Sequence, residues 1–495
     1  MKRTMLFCGV IVWISAAVAA IRQAVPVEDD VGGLPPGVQY RKYESVTWKI
    51  FNDSAPALER LGTLKTRRSD EIESSDFSVG CECLDRDYQD FGMYKDFLPD
   101  LGVKWVRLLS GWAKTERAKG QYDFTWTDEQ VDFCLAHRIQ PWFCLCYGNP
   151  LYGSGKWLGM KMHELVASPE SYTAWLRYVE ATVAHYRTRV RRWEIWNEPF
   201  DQTEDYAKLC ADTAEVIVRV QPEAELVVAA CRFPKDHEAA YAALKSKGLE
   251  KSVKFWAYHG YSPNVDGLYE GKRRGRHTPT EVFRAWVKEK SADYDVLQGE
   301  CGCPAQLEFA HAMCNQLWTE FSKAKWDLRR AIGDRARGIF TSHFSIADNA
   351  YPNMVQSFGL IRSDIQHRFI YRRPSYYGMR NVYSFFDATV KSAGVGVVAT
   401  KGRKATVCRF VKRGRKLLVA WFSHERPTDE LEWVGAAVPC EDMHFDKPVW
   451  VDLITGGVYA LPKDFAEIPL RDSPVMVADL VSVELIRHDF DNLGE

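Results

Sequence analysis

The 495-residue chain carries no long run of like charge, and its formal net charge is −1. Such a balance leaves no electrostatic footprint for nucleic acid or another polyanion and suits a neutral partner better. Beyond Ala20 no apolar stretch reaches the ~20 residues that a membrane helix needs. The mature chain is therefore expected to have no stable membrane insertion. Internal repeats and low-complexity tracts are lacking, which sets aside solenoid architectures. Zinc-type spacing is lacking as well. His163-Glu164 has no second histidine at the metalloprotease interval. The C-x-C pairs Cys81/Cys83, Cys144/Cys146 and Cys301/Cys303 do not match a zinc site. No metal and no cofactor are expected.

Cysteine itself is not scarce. Of 13 cysteines, only Cys8 lies in the N-terminal apolar run. The even remainder permits disulfides in an exported chain. Cys134, Cys144, Cys146, Cys210 and Cys231 lie inside apolar segments, where a free thiol packs as a small hydrophobe. No pairing is assigned.

The N-terminus has the form of an export signal. Lys2 and Arg3 precede an apolar run from Met5 to Ala20 that contains Ala17-Val18-Ala19, a small-residue cleavage pattern. Residues 1–19 are expected to be a signal peptide, and the protein to be secreted or periplasmic. Residues 20–75 read as a leader, with a weakly alternating segment from Val38 to Ile50 expected to form a strand that joins a C-terminal β domain.

From Phe77 short apolar runs alternate with longer amphipathic ones, as in βα units around a parallel sheet. Eight strands are expected: Phe77–Glu82, Val103–Leu109, Gln140–Cys146, Arg191–Trp196, Glu225–Ala230, Val253–Tyr258, Asp295–Gly299 and Arg337–Ser342. Helices are expected between them. Ser168-Pro169 opens one with a hydroxyl cap and proline at the first helical position. Thr278-Pro279-Thr280-Glu281 opens another as a capping box. Long helices are expected over Thr203–Val220 and Ala305–Ile332. Eight repeats in about 300 residues suit a closed (β/α)8 barrel, with an open doubly wound sheet as the rival. After a last helix to Phe386 the chain turns to short β-rich runs, including Ala405–Val411, Leu417–Phe422 and Val449–Leu453. The expected architecture is an α/β TIM barrel over 76–387 with a small β-sandwich over 388–495.

Barrel enzymes carry their reactive groups at the C-terminal ends of the strands. The fourth strand runs into Trp193-Glu194-Ile195-Trp196-Asn197-Glu198-Pro199, and alternation puts Glu194, Trp196 and Glu198 on one face. The seventh ends in Gln298-Gly299-Glu300. Glu198 and Glu300 would thus face one central mouth. Two carboxyl groups whose environments differ can divide acid/base and nucleophilic work, and a retaining glycosidase needs such a pair.

These motifs, with the tract Gly120-Gln121-Tyr122-Asp123-Phe124 followed by Asp128 and Asp132, resemble the clan A glycoside hydrolases. Within that clan they look most like the β-xylosidase and α-iduronidase family, glycoside hydrolase family 39. The resemblance covers roughly residues 77 to 390. It implies that Glu198 is the general acid/base, that Glu300 is the nucleophile and that Asn197 holds the sugar 2-hydroxyl. It also implies that Tyr261, in Tyr258-His259-Gly260-Tyr261, hydrogen-bonds the nucleophile, that His259 lines the site and that Arg107 lies near Glu300. A cation there would lower the carboxyl pKa. Two segments depart from the pattern. Cys-Gly-Cys-Pro follows Glu300 where the family usually has polar residues, and Ser342-His343-Phe344 stands where the clan often places a tryptophan under the sugar.

Further strand-end residues suggest a polar pocket with aromatic walls. Glu82 and Asp85 follow the first strand, Trp112 the second, and Tyr147 and Asn149 the third. All five are candidates for sugar contact, with Trp112 and Tyr147 as stacking faces. Such a pocket favours an exo-acting enzyme on an oligosaccharide or polysaccharide substrate. Two rivals remain. A non-catalytic glycan-binding barrel would have lost one carboxylate, and a thiol enzyme built on Cys301 and His259 would need a cationic neighbour to form its thiolate.

Overall fold

The computed structural model describes residues 45–153, 162–200, 202–231, 233–269, 279–423, 426–440 and 443–486. The expected signal peptide and the leader up to residue 44 lie outside the described residues, as does Thr278 of the capping box.

Eight parallel strands close into a barrel. In chain order they are Phe77–Cys81, Trp105–Leu109, Gln140–Leu145, Arg192–Ile195, Glu225–Val228, Val253–His259, Asp295–Cys301 and Phe340–His343. Closure comes from the first strand pairing with the eighth, Phe77 with Thr341 and Val79 with His343. Alternation sends every second side chain inward. At the base of the barrel the Arg192 guanidinium lies 4.1, 4.4 and 4.6 Å from the rings of Trp105, Phe255 and Phe340, with Glu225 as its ion-pair partner. Above it Trp142, Val227, Ala257 and Leu297 fill an apolar layer. The next inward residues toward the C-terminal ends are the charged groups described below.

The helices follow their local signals where packing allows. Ser168 Oγ accepts a hydrogen bond from Ser171 N and starts the helix Pro169–Tyr186. Thr203–Val220 is helical throughout. The helix expected over Ala305–Ile332 starts later and runs instead from Glu320 to Ala336. The stretch before it is tied down by other bonds, from Ala305 N to Ser357 O and from the Ser357 N–H and hydroxyl to Glu308. Thr319 caps the helix that follows. That helix is buried along most of its length despite its charges, because Lys325 and Arg329 are bonded to Asp472, and Arg330 to Asp334.

The described part of the expected N-terminal strand is instead a helix, Val46–Asp53. Phe51 is buried, and Trp48 stacks on Tyr377 at 4.1 Å, so the apolar spacing there is i, i+3. The strand that does join the β domain is Arg60–Leu64. It pairs antiparallel with Gly457–Ala460 and Leu485–Ile486. The β-sandwich consists of an eight-stranded antiparallel sheet and a small sheet of Val434–Ala436 with Ile468–Leu470. Among the described residues no helix is long and apolar enough to cross a membrane.

Candidate active site

Glu198 stands just past the fourth strand, on a backbone that turns sharply. Trp196 has φ 72° and Glu198 φ 47°. Non-glycine residues in the left-handed region cost roughly 1 kcal/mol or more each, and such strain collects at functional sites. Glu300 sits within the seventh strand, where the pairing with the sixth slips between Tyr258 and His259, so that His259 opposes Glu300. A bulge of this kind re-aims a side chain. Gly299 makes the slip possible. A Cβ there would come within 2.9 Å of His259 Nε2.

The centre of the site is Arg107, fully buried on the second strand. Its Nε donates to Glu194 at 2.8 Å, its Nη1 to Glu300 at 2.5 Å and to Glu82 at 3.0 Å, and its Nη2 to Asn197 Oδ1 at 2.9 Å. One guanidinium therefore organises three carboxyl groups and the amide beside Glu198. Burial alone would push the Glu300 carboxyl up. The charges of His259 and Arg107, with hydrogen bonds from Arg107 and from Tyr261 at 3.1 Å, outweigh it and hold Glu300 below the usual carboxylate range. The group is set up to be ionised.

Glu198 is a third exposed at its side chain and is joined by His259 Nδ1 at 2.7 Å. Burial works against a charged imidazole at His259, but Glu300 and the hydrogen-bonded Glu198 overcome it and raise its pKa above the ordinary value. One oxygen of Glu198, one ring nitrogen of His259 and one oxygen of Glu300 lie within 4.8 Å of one another. That spacing is close enough to hold a cation. Here Arg107 already supplies the positive charge at Glu300, and His259 is engaged with Glu198.

Glu198, Glu300, Asn197, His259, Tyr261, Arg107 and Glu82 thus come together. Tyr147 joins them at the edge. Its hydroxyl accepts from Asn197 Nδ2 at 3.2 Å, and its ring lies 4.9 Å from the Arg86 guanidinium. Asp85 is one step removed, ion-paired to Arg86 at 3.2 Å in the wall of a neighbouring cleft of about 500 Å3. Glu194 is the member that sequence reasoning placed on the inward face without giving it a role.

Two expected sugar contacts are structural instead. Trp112 is 1% exposed and lies between the rings of Tyr152 and Tyr178, at 5.5 and 5.6 Å. Both faces are taken, and its indole N–H donates to Glu116 at 2.5 Å. Asn149 is equally buried. Its amide donates to Glu116 O at 2.8 Å, and its oxygen caps the short helix Pro150–Tyr152. Trp112→Phe should therefore lower stability by about 1–2 kcal/mol through the lost hydrogen bond and packing, and leave KM unchanged. A raised KM at unchanged Tm would restore a stacking role. The eighth strand offers no platform either, since Phe344 is 8% exposed and packs against Phe358. The thiol of Cys301 points away from Glu300 to Ser342 O, and burial pushes it up to about 12, which removes it as a nucleophile near neutral pH.

No protein-family model matches the sequence, and no curated protein matches it. Solved structures do. A family 39 glycoside hydrolase from the gut symbiont Bacteroides cellulosilyticus WH2 superposes with a TM-score of 0.61 at 17% identity, over 84% of this chain and 83% of that one. A family 30 endoxylanase from Clostridium papyrosolvens C71 gives 0.51 at 12% identity, over 84% and 97%. The fold is that of these glycoside hydrolases.

Proposed function

We propose that the chain is a retaining glycoside hydrolase, with Glu300 as nucleophile and Glu198 as general acid and then base. The observation that carries this reading is the distance between the two carboxylates. An oxygen of each lies within 4.8 Å of the other. Double displacement needs carboxyl groups about 5–5.5 Å apart, whereas single displacement leaves about 6.5–9.5 Å for a water.

In the first step a Glu300 oxygen attacks the anomeric carbon, the bond to the leaving oxygen breaks, and Glu198 donates its proton to that oxygen. In the second step Glu198 takes a proton from water, the water oxygen attacks the anomeric carbon, and Glu300 leaves as a carboxylate. Arg107 and Tyr261 keep Glu300 ionised before attack and stabilise it as a leaving group afterwards. His259 holds Glu198 toward the bond, and Asn197, fixed by Arg107 and Tyr147, presents its amide to the sugar 2-hydroxyl. Glu300, only 8% exposed, sits at the bottom of the mouth. That enclosure favours a terminal sugar, and so exo action on an oligosaccharide or polysaccharide. The basic-then-apolar N-terminus supports export to a secreted or periplasmic location. The alternative, a non-catalytic glycan-binding barrel, has no need of two carboxylates brought this close together.

Hydrolysis of a panel of aryl glycosides tests the reading. Glu198→Ala should slow a substrate with a poor leaving group by about 100-fold or more and an activated aryl glycoside far less, because an activated leaving group needs little protonation. Equal losses on both would argue against the acid/base role.

A further inference from the structure

The three carboxyl groups around Arg107 are not equivalent, and Glu82 is the odd one. Its partner nitrogen, Arg107 Nη1, is the one that also bonds Glu300. We propose that Glu82 is a positioning residue that, through this shared nitrogen, sets how firmly Arg107 holds the nucleophile. The inference deepens the glycosidase reading, and its kinetic part rests on it.

The placement is built into the barrel. Gly80 pairs directly with Arg107 across the first two strands. Its missing side chain leaves the space that the Glu82 carboxyl folds into. A Cβ at Gly80 would lie 2.7 Å from Glu82 Oε1. Glu82 is 2% exposed and Arg107 not at all.

Charge counting then shows what state Glu82 must be in. Glu82, Glu194 and Glu300 lie within 3.0 Å of a single guanidinium. Even with His259 protonated, three ionised carboxylates would leave a net negative charge on groups that are largely buried, which is costly. A proton on one of them removes the excess. Glu300 has His259 and Tyr261 as well as Arg107 to keep it ionised. Glu194 has the Arg107 Nε. Glu82 has only its share of Nη1. Among the described residues, the other titratable groups that its charge bears on are Cys81 and Cys83 on its own segment and Tyr94 on the helix Phe91–Tyr94, none of them a cation. Burial pushes Glu82 upward, Arg107 opposes this, and the charges of Glu300 and Glu194 add to the rise. As a neutral acid Glu82 occupies Nη1 without competing for its charge, and the arginine serves the nucleophile. Once Glu82 ionises, it pulls on the same N–H and loosens the hold on Glu300.

Two variants separate these effects. Glu82→Gln mimics the neutral acid and still accepts from Arg107. Glu82→Ala removes the contact. Infrared difference spectra between wild type and Glu82→Gln, at mildly acidic pH, should show a protonated-carboxyl stretch in wild type that is absent from the variant and is lost from wild type as pH rises past neutral. This readout does not depend on any glycosidase activity. On an activated aryl glycoside, Glu82→Gln should track wild type along the acid limb of the pH–rate profile and depart from it only above neutral, where wild type falls and the variant does not. Glu82→Ala should lose about 10- to 100-fold in kcat with KM nearly unchanged, the scale of a nucleophile displaced by a fraction of an ångström. Absence of the carboxyl band would overturn the neutral-acid state. A displaced acid limb in Glu82→Gln would mean that Glu82 is charged alongside Glu300, and a fully active Glu82→Ala would end its positioning role. If no glycoside is turned over, the catalytic reading fails by itself and the infrared comparison still decides the state of Glu82.

Discussion

Glu300→Ala should reduce turnover of the best aryl glycoside by on the order of 10^5-fold, as loss of a covalent nucleophile does in other hydrolases. The fold should survive, because alanine leaves Arg107 with Glu82 and Glu194 as partners. The cavity left behind is also where a small external anion would fit. Azide should restore part of the rate on an activated substrate and yield a glycosyl azide of inverted anomeric configuration, since one displacement then replaces two. Parallel assays of rate and Tm check both halves. Activity within about tenfold of wild type would remove Glu300 from the mechanism.

Arg107→Ala should be damaging in a different way. It strips one cation from three buried carboxyl groups and frees the Asn197 amide oxygen. Removing one partner of a buried ion pair costs about 3–5 kcal/mol because the other charge is left unpaired. Turnover should fall by roughly 1,000-fold, since nucleophile, 2-hydroxyl ligand and acid/base loop are all positioned through this residue. The pH dependence of stability separates this account from simple loss of packing. In wild type the Glu300 carboxyl is held below its unfolded value. Its contribution to stability is therefore present above the unfolded pKa and is lost as pH falls through the folded one. Without Arg107 burial pushes the Glu300 carboxyl up instead, and protonation relieves it. The stability gap between variant and wild type should thus narrow as pH is lowered. A gap that stays constant across pH would mean that Arg107 matters for its volume and not for its charge.

Much of this arrangement was legible in the chain itself, and the parts that were not have identifiable reasons. All eight barrel strands carry the apolar runs that mark them, and their observed bounds differ from the expected ones by a few residues at the ends. That Glu198 and Glu300 face one mouth follows from their places near the ends of the fourth and seventh strands together with the motifs around them. The special backbone around them does not. Positive φ at Trp196 and Glu198, and the slipped register at Glu300, arise from tertiary contacts that only Gly299 hints at. The sequence does not distinguish a stacking role from a structural one for Trp112, because an aromatic at a strand end looks the same whether its faces are open or covered. Only the fold brings Tyr152 and Tyr178 onto it. The helix expected from Ala305 starts only at Glu320 for a related reason. Its polar groups bond to Ser357, some fifty residues away, and no local signal reports that. Glu194 was visible on the inward face, yet its role depends on Arg107, which lies 87 positions earlier.

The central claim is that the reaction passes through a covalent sugar ester on Glu300. Proton NMR of the first product released from an aryl glycoside, recorded before mutarotation, tests it most directly. Retention of the anomeric configuration is what double displacement through Glu300 predicts. Inversion would contradict it, and would make Glu300 a base acting on water.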